Sequence, residues 1–356
     1  MKKAEAIVKI VTPCIMSGSN QASAQIRAPS IRGNLRWWFR IRGGKSITEG
    51  RIFGRIGGNN SGAVKAAASN VVVRVDGDGL EIAESQTAKQ IIGNNYDYFL
   101  WPLSRPQSAR GLIKPGGTFK LMVTHRGLEE GDFLGEDVLK TFLLFGTMGT
   151  RHRRAYGSIY PEKLFIDEEE YSIPDCEEEL AAEAGKLLKN IKIRILKIDQ
   201  GSRDWKKAIS TCAEFLKTFR AGKDGFGVTP SEWGKHDHDL PFNQDNYIFR
   251  PILGLPYSQS YRNNRDNNFS LSLKQDGRQC DRWQSPVIFK IVPLQGLYTP
   301  LALIFPDRAL PPGTELSVKR NRAMPGTLKL QDDLLTAIID PPPGYWNKST
   351  ILFSTI

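Results

Sequence analysis

The stretch PSIRGNLRWWFR, residues 29–40, packs three arginines and two adjacent tryptophans into one short segment, and its reading decides the first half of the fold. On a helical wheel Ile31, Leu35, Trp38 and Phe39 share one face, while Arg32, Arg36 and Arg40 recur every four residues on the neighbouring face. The pattern predicts an amphipathic helix begun by Pro29 and Ser30, with Ser30 as the N-cap. Trp38 and Phe39 are assigned to the core. Trp37 is left at the edge of the apolar stripe beside Arg36, with Arg27 and Arg42 flanking the helix.

Working outward, residues 5–12 form an apolar strand that precedes this helix, joined to it by a polar, glycine- and serine-containing connection. Downstream, Gly43-Gly44 and Gly57-Gly58-Asn59-Asn60 mark turns, and VVVRV (71–75) and TFKLMVTH (118–125) read as strands. DVLKTFLLFG (137–146) is an apolar helix closing on a glycine, and SIYPEKLFI (158–166) returns as a strand. Strand, helix, strands, helix, strand is the order of a split βαβ, ferredoxin-like sheet with its helices on one face.

The acidic, proline-broken run DEEEYSIPDCEEELAAEA (167–184) reads as the connection between two α+β domains, residues 1–175 and 185–356. IKIRILKI (191–198) restarts the pattern as a strand, followed by an amphipathic helix at 205–219. SPVIFKIVPL (285–294) and LYTPLALIF (297–305) read as a strand pair around Gly296, whereas residues 228–281 read only as loop-rich.

Lys plus Arg number 49 against 38 Asp plus Glu, a net charge of +11, with a sequence pI near 9.4. That excess favours anionic partners, nucleic acid or an acidic lipid surface. No apolar run approaches the roughly 20 residues a membrane-spanning helix needs. Glu5 and Lys9 interrupt what would be the apolar part of a signal peptide, so a soluble, cytoplasmic protein without a membrane partner is expected. Cys14, Cys176, Cys212 and Cys280 lack paired spacing and read as reduced core thiols, not a disulfide framework or a zinc site. The Asn59-Asn60-Ser61 tripeptide carries no information without secretion.

Several chemistries are disfavoured by spacing. Gly43-Gly44-Lys45-Ser46 imitates the end of a phosphate-binding loop, but Phe39 stands where its first glycine is required. His236-Asp237-His238-Asp239 has no partner ligand at a known spacing and reads as a solvated loop; neither a metal nor a cofactor is expected. No nucleophile elbow is present, and no cysteine has an evident histidine partner. His125 falls in a strand and reads as structural, which leaves His152 as the candidate general base for a metal-free ribonuclease.

FGTMGTRHRRAYGS, residues 145–158, is the second basic element. Glycines bracket Arg151, His152, Arg153 and Arg154, and Tyr156 stands alongside. Glycines admit close approach of a phosphate backbone, arginines supply charge and forked donors, and an aromatic ring can stack a base. Stacking planes beside charges also characterise single-stranded RNA recognition, which extends the candidate set to Trp37 with the helix arginines. The helix start at Ser30 adds free N–H groups for a phosphate.

IRAPSIRGNLRWWFR (26–40), RIFG (51–54) and FGTMGTRHRRAYGS together resemble the signature of the RAMP superfamily of CRISPR-associated RNA-binding proteins. FRPILGLPY (249–257) and RWQSPVIFKIVPLQG (282–296) resemble the GLP and R-x-x-SP-x-x-x-K segments of its two-domain branch, the first subunit of the Cmr (type III-B) effector complex. Ala155 departs from that pattern, where a glycine is common. The resemblance implies tandem ferredoxin-like (RRM-like) domains with antiparallel sheets and association with other RAMP subunits of a guide RNA assembly. It also implies capture of guide or target single-stranded RNA, with no nuclease activity in the chain itself. Arg282 and Lys290 become further candidate RNA contacts. Some relatives process guide precursors as metal-independent endoribonucleases, which is the alternative, with His152 as general base.

Overall fold

The computed structural model describes residues 2–57, 65–93, 98–126, 135–222, 229–243, 245–261, 264–275, 278–319 and 324–356. The Gly58-Asn59-Asn60 part of the predicted turn and the Asn59-Asn60-Ser61 tripeptide lie outside them.

The first unit runs β1 (Lys3–Ile10), α1 (Ala28–Ile41), α2 (Ser46–Phe53), β2 (Val71–Asp76), β3 (Ile82–Gln86), α3 (Ala88–Ile92), β4 (Arg110–Ile113), β5 (Thr118–His125), α4 (Glu136–Phe145), β6 (Ile159–Ile166) and β7 (Glu169–Glu170). Its sheet has the order β2-β5-β1-β6-β7, antiparallel throughout, which is the βαββαβ ferredoxin-like arrangement; β3 and β4 form a separate ribbon. Alternation along β1 buries Ala4, Ala6, Val8 and Ile10 and turns Lys3 and Glu5 outward, the period-two pattern of a half-covered sheet.

Helix α1 buries Ile31, Leu35, Trp38 and Ile41. It begins earlier than the sequence suggests: Arg27 is the N-cap, and Ser30 lies inside the first turn, donating its backbone N–H to Arg27 O at 3.0 Å. Pro29, which has no N–H to satisfy, fits that first turn and moves the start upstream of Ser30. Phe39 is half-buried, not core, and packs edge-on against Phe53 of α2 at 5.9 Å. Helix α4 is apolar almost all round, burying Val138, Leu139 and every residue from Thr141 to Phe145, because it is packed on more than one side.

Only the first part of the acidic stretch is a connection; from Glu177 it is built into helix α5 (Glu177–Leu188), whose Leu180, Ala184, Leu187 and Leu188 are buried against both α4 and the final strand of the chain. The second unit repeats the first topology with β8 (Arg194–Lys197), α6 (Trp205–Arg220), β13 (Val287–Leu294), β14 (Leu297–Ile304), α8 (Asp333–Ile339) and β17 (Thr350–Ser354) in the antiparallel order β13-β14-β8-β17. Gln295 and Gly296, both at positive φ, make the tight hairpin turn between β13 and β14.

The described residues of 228–281 are not a loop region. They hold α7 (Glu232–Asn243), β9 (Tyr247–Ile248), β10 (Tyr257–Gln259), β11 (Phe269–Gln275) and β12 (Arg278–Cys280). With β15 (Glu315–Lys319) and β16 (Thr327–Leu330), these strands form a third sheet of order β10-β11-β15-β16-β9, with β12 alongside β11. His236-Asp237-His238-Asp239 lies in α7, not in a solvated loop. Asp237 is fully buried and accepts from the backbone N–H groups of Phe249 (3.0 Å) and Arg250 (2.7 Å) and from Arg250 Nε (3.2 Å).

Lys290 of β13 joins the two units. Its side chain is fully buried, and its ammonium donates to Gly146 O (2.6 Å), Ile159 O (2.8 Å) and Leu143 O (3.3 Å) of the first unit. Leu143 and Gly146 stand at the C-terminal end of α4, where carbonyls lack helical partners and the dipole is negative, so a cation from across the interface completes the helix. As a candidate RNA contact Lys290 is therefore corrected: no face of it reaches solvent. Burial pushes its pKa well down.

Lys290→Met keeps the stem but orphans three carbonyls. Each buried, unsatisfied polar group costs about 1–3 kcal/mol, so calorimetry should show a loss of several kcal/mol and separation of one melting transition into two. A single transition at the wild-type Tm would show that the peg is dispensable.

Candidate nucleic-acid interface

The glycine-rich loop between α4 and β6 is held from both sides. Toward the first unit, Thr150 N–H donates to Ile15 O (2.7 Å), Gly157 N–H to Pro13 O (2.9 Å) and Thr12 Oγ1 to Ala155 O (2.6 Å). Toward the second, Ala155 N–H donates to Phe289 O (3.1 Å), and Phe289 N–H donates to Arg153 O (3.2 Å). The loop thus runs beside β13 as an extra bridging segment, with Arg154 and Phe289 paired.

Two glycines make this path possible. Gly149 and Gly157 sit at φ +86° and +65°, and a Cβ would fall 2.6 Å from Ile15 O and 1.8 Å from Met148 O respectively. Ala155, the departure from the family pattern, also has a left-handed φ of +64° with its methyl fully buried.

With its backbone fixed, the loop sends its basic side chains in two directions. Arg153 and His152 face a cleft of about 260 Å³ against α1, where they meet Ser30, Trp37, Arg40 and Gln284. Arg153 Nη1 donates to Ser285 O (2.8 Å) and Nη2 to Gln284 Oε1 (2.7 Å), and its guanidinium lies 5.1 Å from the Trp37 ring. Trp37 Nε1 donates to the same Gln284 oxygen at 3.1 Å, and the indole stands edge-on to Trp38 (4.8 Å) and Phe305 (6.0 Å). Trp37 therefore belongs as much to the seam between units as to the surface.

Arg151 and Arg154 face a second cleft, of about 640 Å³, whose walls include Lys217 and Arg220 of α6. Arg151 Nε donates to Phe99 O at 2.8 Å, and Arg154 lies over the Phe99 and Phe289 rings at 5.7 and 6.0 Å. Among the described residues, no carboxylate lines this cleft. Burial and then repulsion from Arg220 and Arg151 hold the Arg154 pKa down to about 9, and burial holds that of Arg153 down to about 10.

Arg36, Arg40 and Arg42 differ from the loop arginines in having acids. Arg36 hydrogen-bonds the buried carboxylate of Glu49 on α2, which also lies 3.6 Å from Arg40, and Arg42 pairs with Asp137 at 2.8 Å. Arg27 is spent on Ser17 O (3.2 Å). Arg32 is exposed and forms no ion pair among the described residues, and Arg282 is likewise exposed. Tyr156 is a correction: its ring is fully buried and cannot stack a base, since the left-handed turn at Ala155 and Gly157 folds it inward.

His152 is half-buried, with Nδ1 2.9 Å from Gly149 O. Burial first, and then the neighbouring arginines, drop its pKa to about 4, a poor match for a general base at neutral pH.

The sequence reading missed Lys217, Arg220, Trp101 and Trp283. Arg220 and Lys217 end an amphipathic helix, an ordinary place for cations, and nothing local distinguishes them. The GLP and R-x-x-SP segments meet at this cleft, where Leu255 and Trp283 exchange backbone hydrogen bonds of 2.9 and 3.2 Å. Among the described residues no group of three or more His, Cys, Asp and Glu side chains is placed to hold a metal, and no helix is long and apolar enough to cross a membrane.

The fold and these clefts define a tandem ferredoxin-like protein with a glycine-rich basic loop at the seam. The model of the RAMP superfamily matches residues 7–160, which fall within the first unit. Over the whole chain the fold is similar to the crystal structure of Cmr1 from Pyrococcus furiosus in its apo form, at 14% identity, complete coverage of both chains and a TM-score of 0.58. It is also similar to a chain in the cryo-EM structure of the type III-B Cmr-beta complex bound to cognate target RNA, at 10% identity and a TM-score of 0.51, covering 95% of this chain and 98% of that one. No curated protein matches the sequence.

Two outcomes are expected. Gly157→Ala should abolish ordered packing of the loop and cost several kcal/mol, whereas Ala155→Gly should fall within about 1 kcal/mol of wild type, because relief of the left-handed φ offsets removal of the methyl. Urea midpoints of the two variants check this. His152 has a folded pKa below its unfolded value of 6.5, so its contribution is present above that pH and is lost as pH falls through about 4. Wild type should lose on the order of 1–3 kcal/mol more than His152→Gln over that window.

Proposed function

We propose that this chain is a non-catalytic RNA-binding subunit of a type III-B Cmr effector complex, an RNA-guided, RNA-targeting assembly of antiviral defence. Its partners are guide RNA, target single-stranded RNA, or both, together with other RAMP subunits. The observation that carries the reading is the contrast between its arginines. Those at the end of α1 are matched by Glu49 and Asp137, whereas the loop arginines sit at the seam of two ferredoxin-like units without an acid among the described residues of their clefts. Half-buried cations left without carboxylates are placed to meet an external anion, and phosphate suits the forked guanidinium. The RAMP-superfamily match over residues 7–160 and the fold shared with a Cmr-complex chain support the same assembly. The depressed basicity of His152 favours binding over cleavage.

On single-stranded RNA, removing one arginine–phosphate interaction should lower the salt slope by about 0.7 and weaken binding at every sequence alike. The Arg32→Ala/Arg153→Ala double variant should therefore lose roughly 1.4 units of slope, while Arg36→Ala, which breaks an internal pair, changes stability more than slope. Unchanged affinity and slope in the double variant would remove both Arg32 and Arg153 from the interface. Cleavage of RNA by the purified chain in the presence of chelator would overturn the non-catalytic reading.

A further inference from the structure

The second cleft has the features of a small-molecule site more than of a groove for a continuous strand. Its volume of about 640 Å³ falls within the roughly 300–1,000 Å³ of pockets that enclose one ligand. Arg151 and Arg154 come from the glycine-rich loop, Lys217 and Arg220 from the last turn of α6, so the charge is assembled from both units. Arg220 Nε is a buried donor without a hydrogen-bond partner among the described residues. Aromatic surface lies beside the cations: Trp101 is 70% exposed, and Trp283 is half-buried and anchored by its indole N–H to Arg308 O at 3.0 Å.

We propose that this cleft receives a single nucleotide bearing a phosphomonoester, with the phosphate on Arg151, Arg154 and Arg220 and the base against Trp101 or Trp283. The inference rests on the RNA-binding reading and specifies the chemistry of one of its sites. A phosphodiester within a strand carries one negative charge, whereas a monoester carries roughly 1.5–2 at neutral pH and offers three acceptor oxygens. Four cations gathered without an acid are better matched by the monoester, and the orphaned Arg220 donor gains an acceptor. Burial first, and then mutual repulsion among the guanidiniums, lowers the proton affinity of Arg151 and Arg154, and a bound dianion relieves that repulsion. Two sources share this chemistry: the phosphorylated end of an RNA strand and a free mononucleotide.

The test is calorimetric titration of the full chain with one short single-stranded RNA carrying a 5′-phosphate, a 3′-phosphate or only hydroxyl ends, and with adenosine 5′-monophosphate against adenosine. A phosphorylated form should bind roughly tenfold or more tightly than its hydroxyl counterpart, and Arg220→Gln should erase that difference while Arg32→Ala preserves it. Arg151→Gln serves as a second variant if Arg220→Gln does not fold. Preference for adenosine 5′-monophosphate over adenosine assigns the free nucleotide as ligand; preference confined to the RNA assigns the strand end. Equal affinity of phosphorylated and hydroxyl forms, with salt-dependent RNA binding retained, overturns this proposal and leaves the RNA-binding reading standing. Absence of RNA binding altogether, with no preference for the mononucleotide, overturns both.

Discussion

A single buried ammonium sets the relation between the two halves of this protein. Lys290 is carried by a strand of the second unit and satisfied by carbonyls of the first, two of them at the end of α4. Sealing a lysine in a protein interior is costly unless its donors are met. Here the three carbonyls that meet them belong to the end of α4 and to β6, so the arrangement forms only when the units dock. The docking then aligns β13 with the glycine-rich loop, and the loop inherits its geometry from that pairing. Aromatic packing adds to the same seam, with Phe99 5.4 Å from Phe289 and Trp38 6.1 Å from Phe305.

Once the loop is fixed, charge placement follows from backbone geometry. Residues in left-handed conformations at Gly149, Arg151, Ala155 and Gly157 turn successive side chains through different directions, so Arg153 goes to α1 while Arg151 and Arg154 go to α6. Four consecutive basic residues thus serve two clefts instead of one surface. The fold also sorts its arginines by cost. Arg36, Arg40 and Arg42, toward the end of α1, are held by acids from α2 and α4, whereas Arg32 and the loop arginines retain unneutralised charge that an anion can meet.

Much of the architecture is legible locally. The period of α1, the apolar run of α4, and the paired apolar strands around Gly296 each carry their signal within a few residues, and each stands where periodicity puts it. The third sheet is not legible in this way, although Phe269, Leu271 and Leu273 alternate along β11 and are buried on one side. Its strands are short, and β11 finds its partner β15 only after the chain has traversed β13 and β14. The helix starts upstream of Ser30, with Arg27 as N-cap and Pro29 in the first turn, where its missing N–H forgoes no helical hydrogen bond. The site is less legible than the fold: Arg36 and Arg40 look free on a helical wheel, and only the position of Glu49 on the next helix shows that they are paired.

The sequence by itself determined the first βαββαβ unit, the opening strand, helix and strand pair of the second, the helix with its buried tryptophan, and the glycines that let a basic loop turn sharply, because these depend on periodicity and backbone conformation, which are local. It also determined the excess of positive charge. Only the tertiary structure decided which charges remain available. Tyr156 and Lys290, both plausible surface residues by type, are sealed inside, and Lys217 and Arg220, unremarkable by sequence at the end of a helix, stand beside Arg151 and Arg154. Burial and pairing are set by contacts between residues far apart in the chain, and no local pattern encodes them.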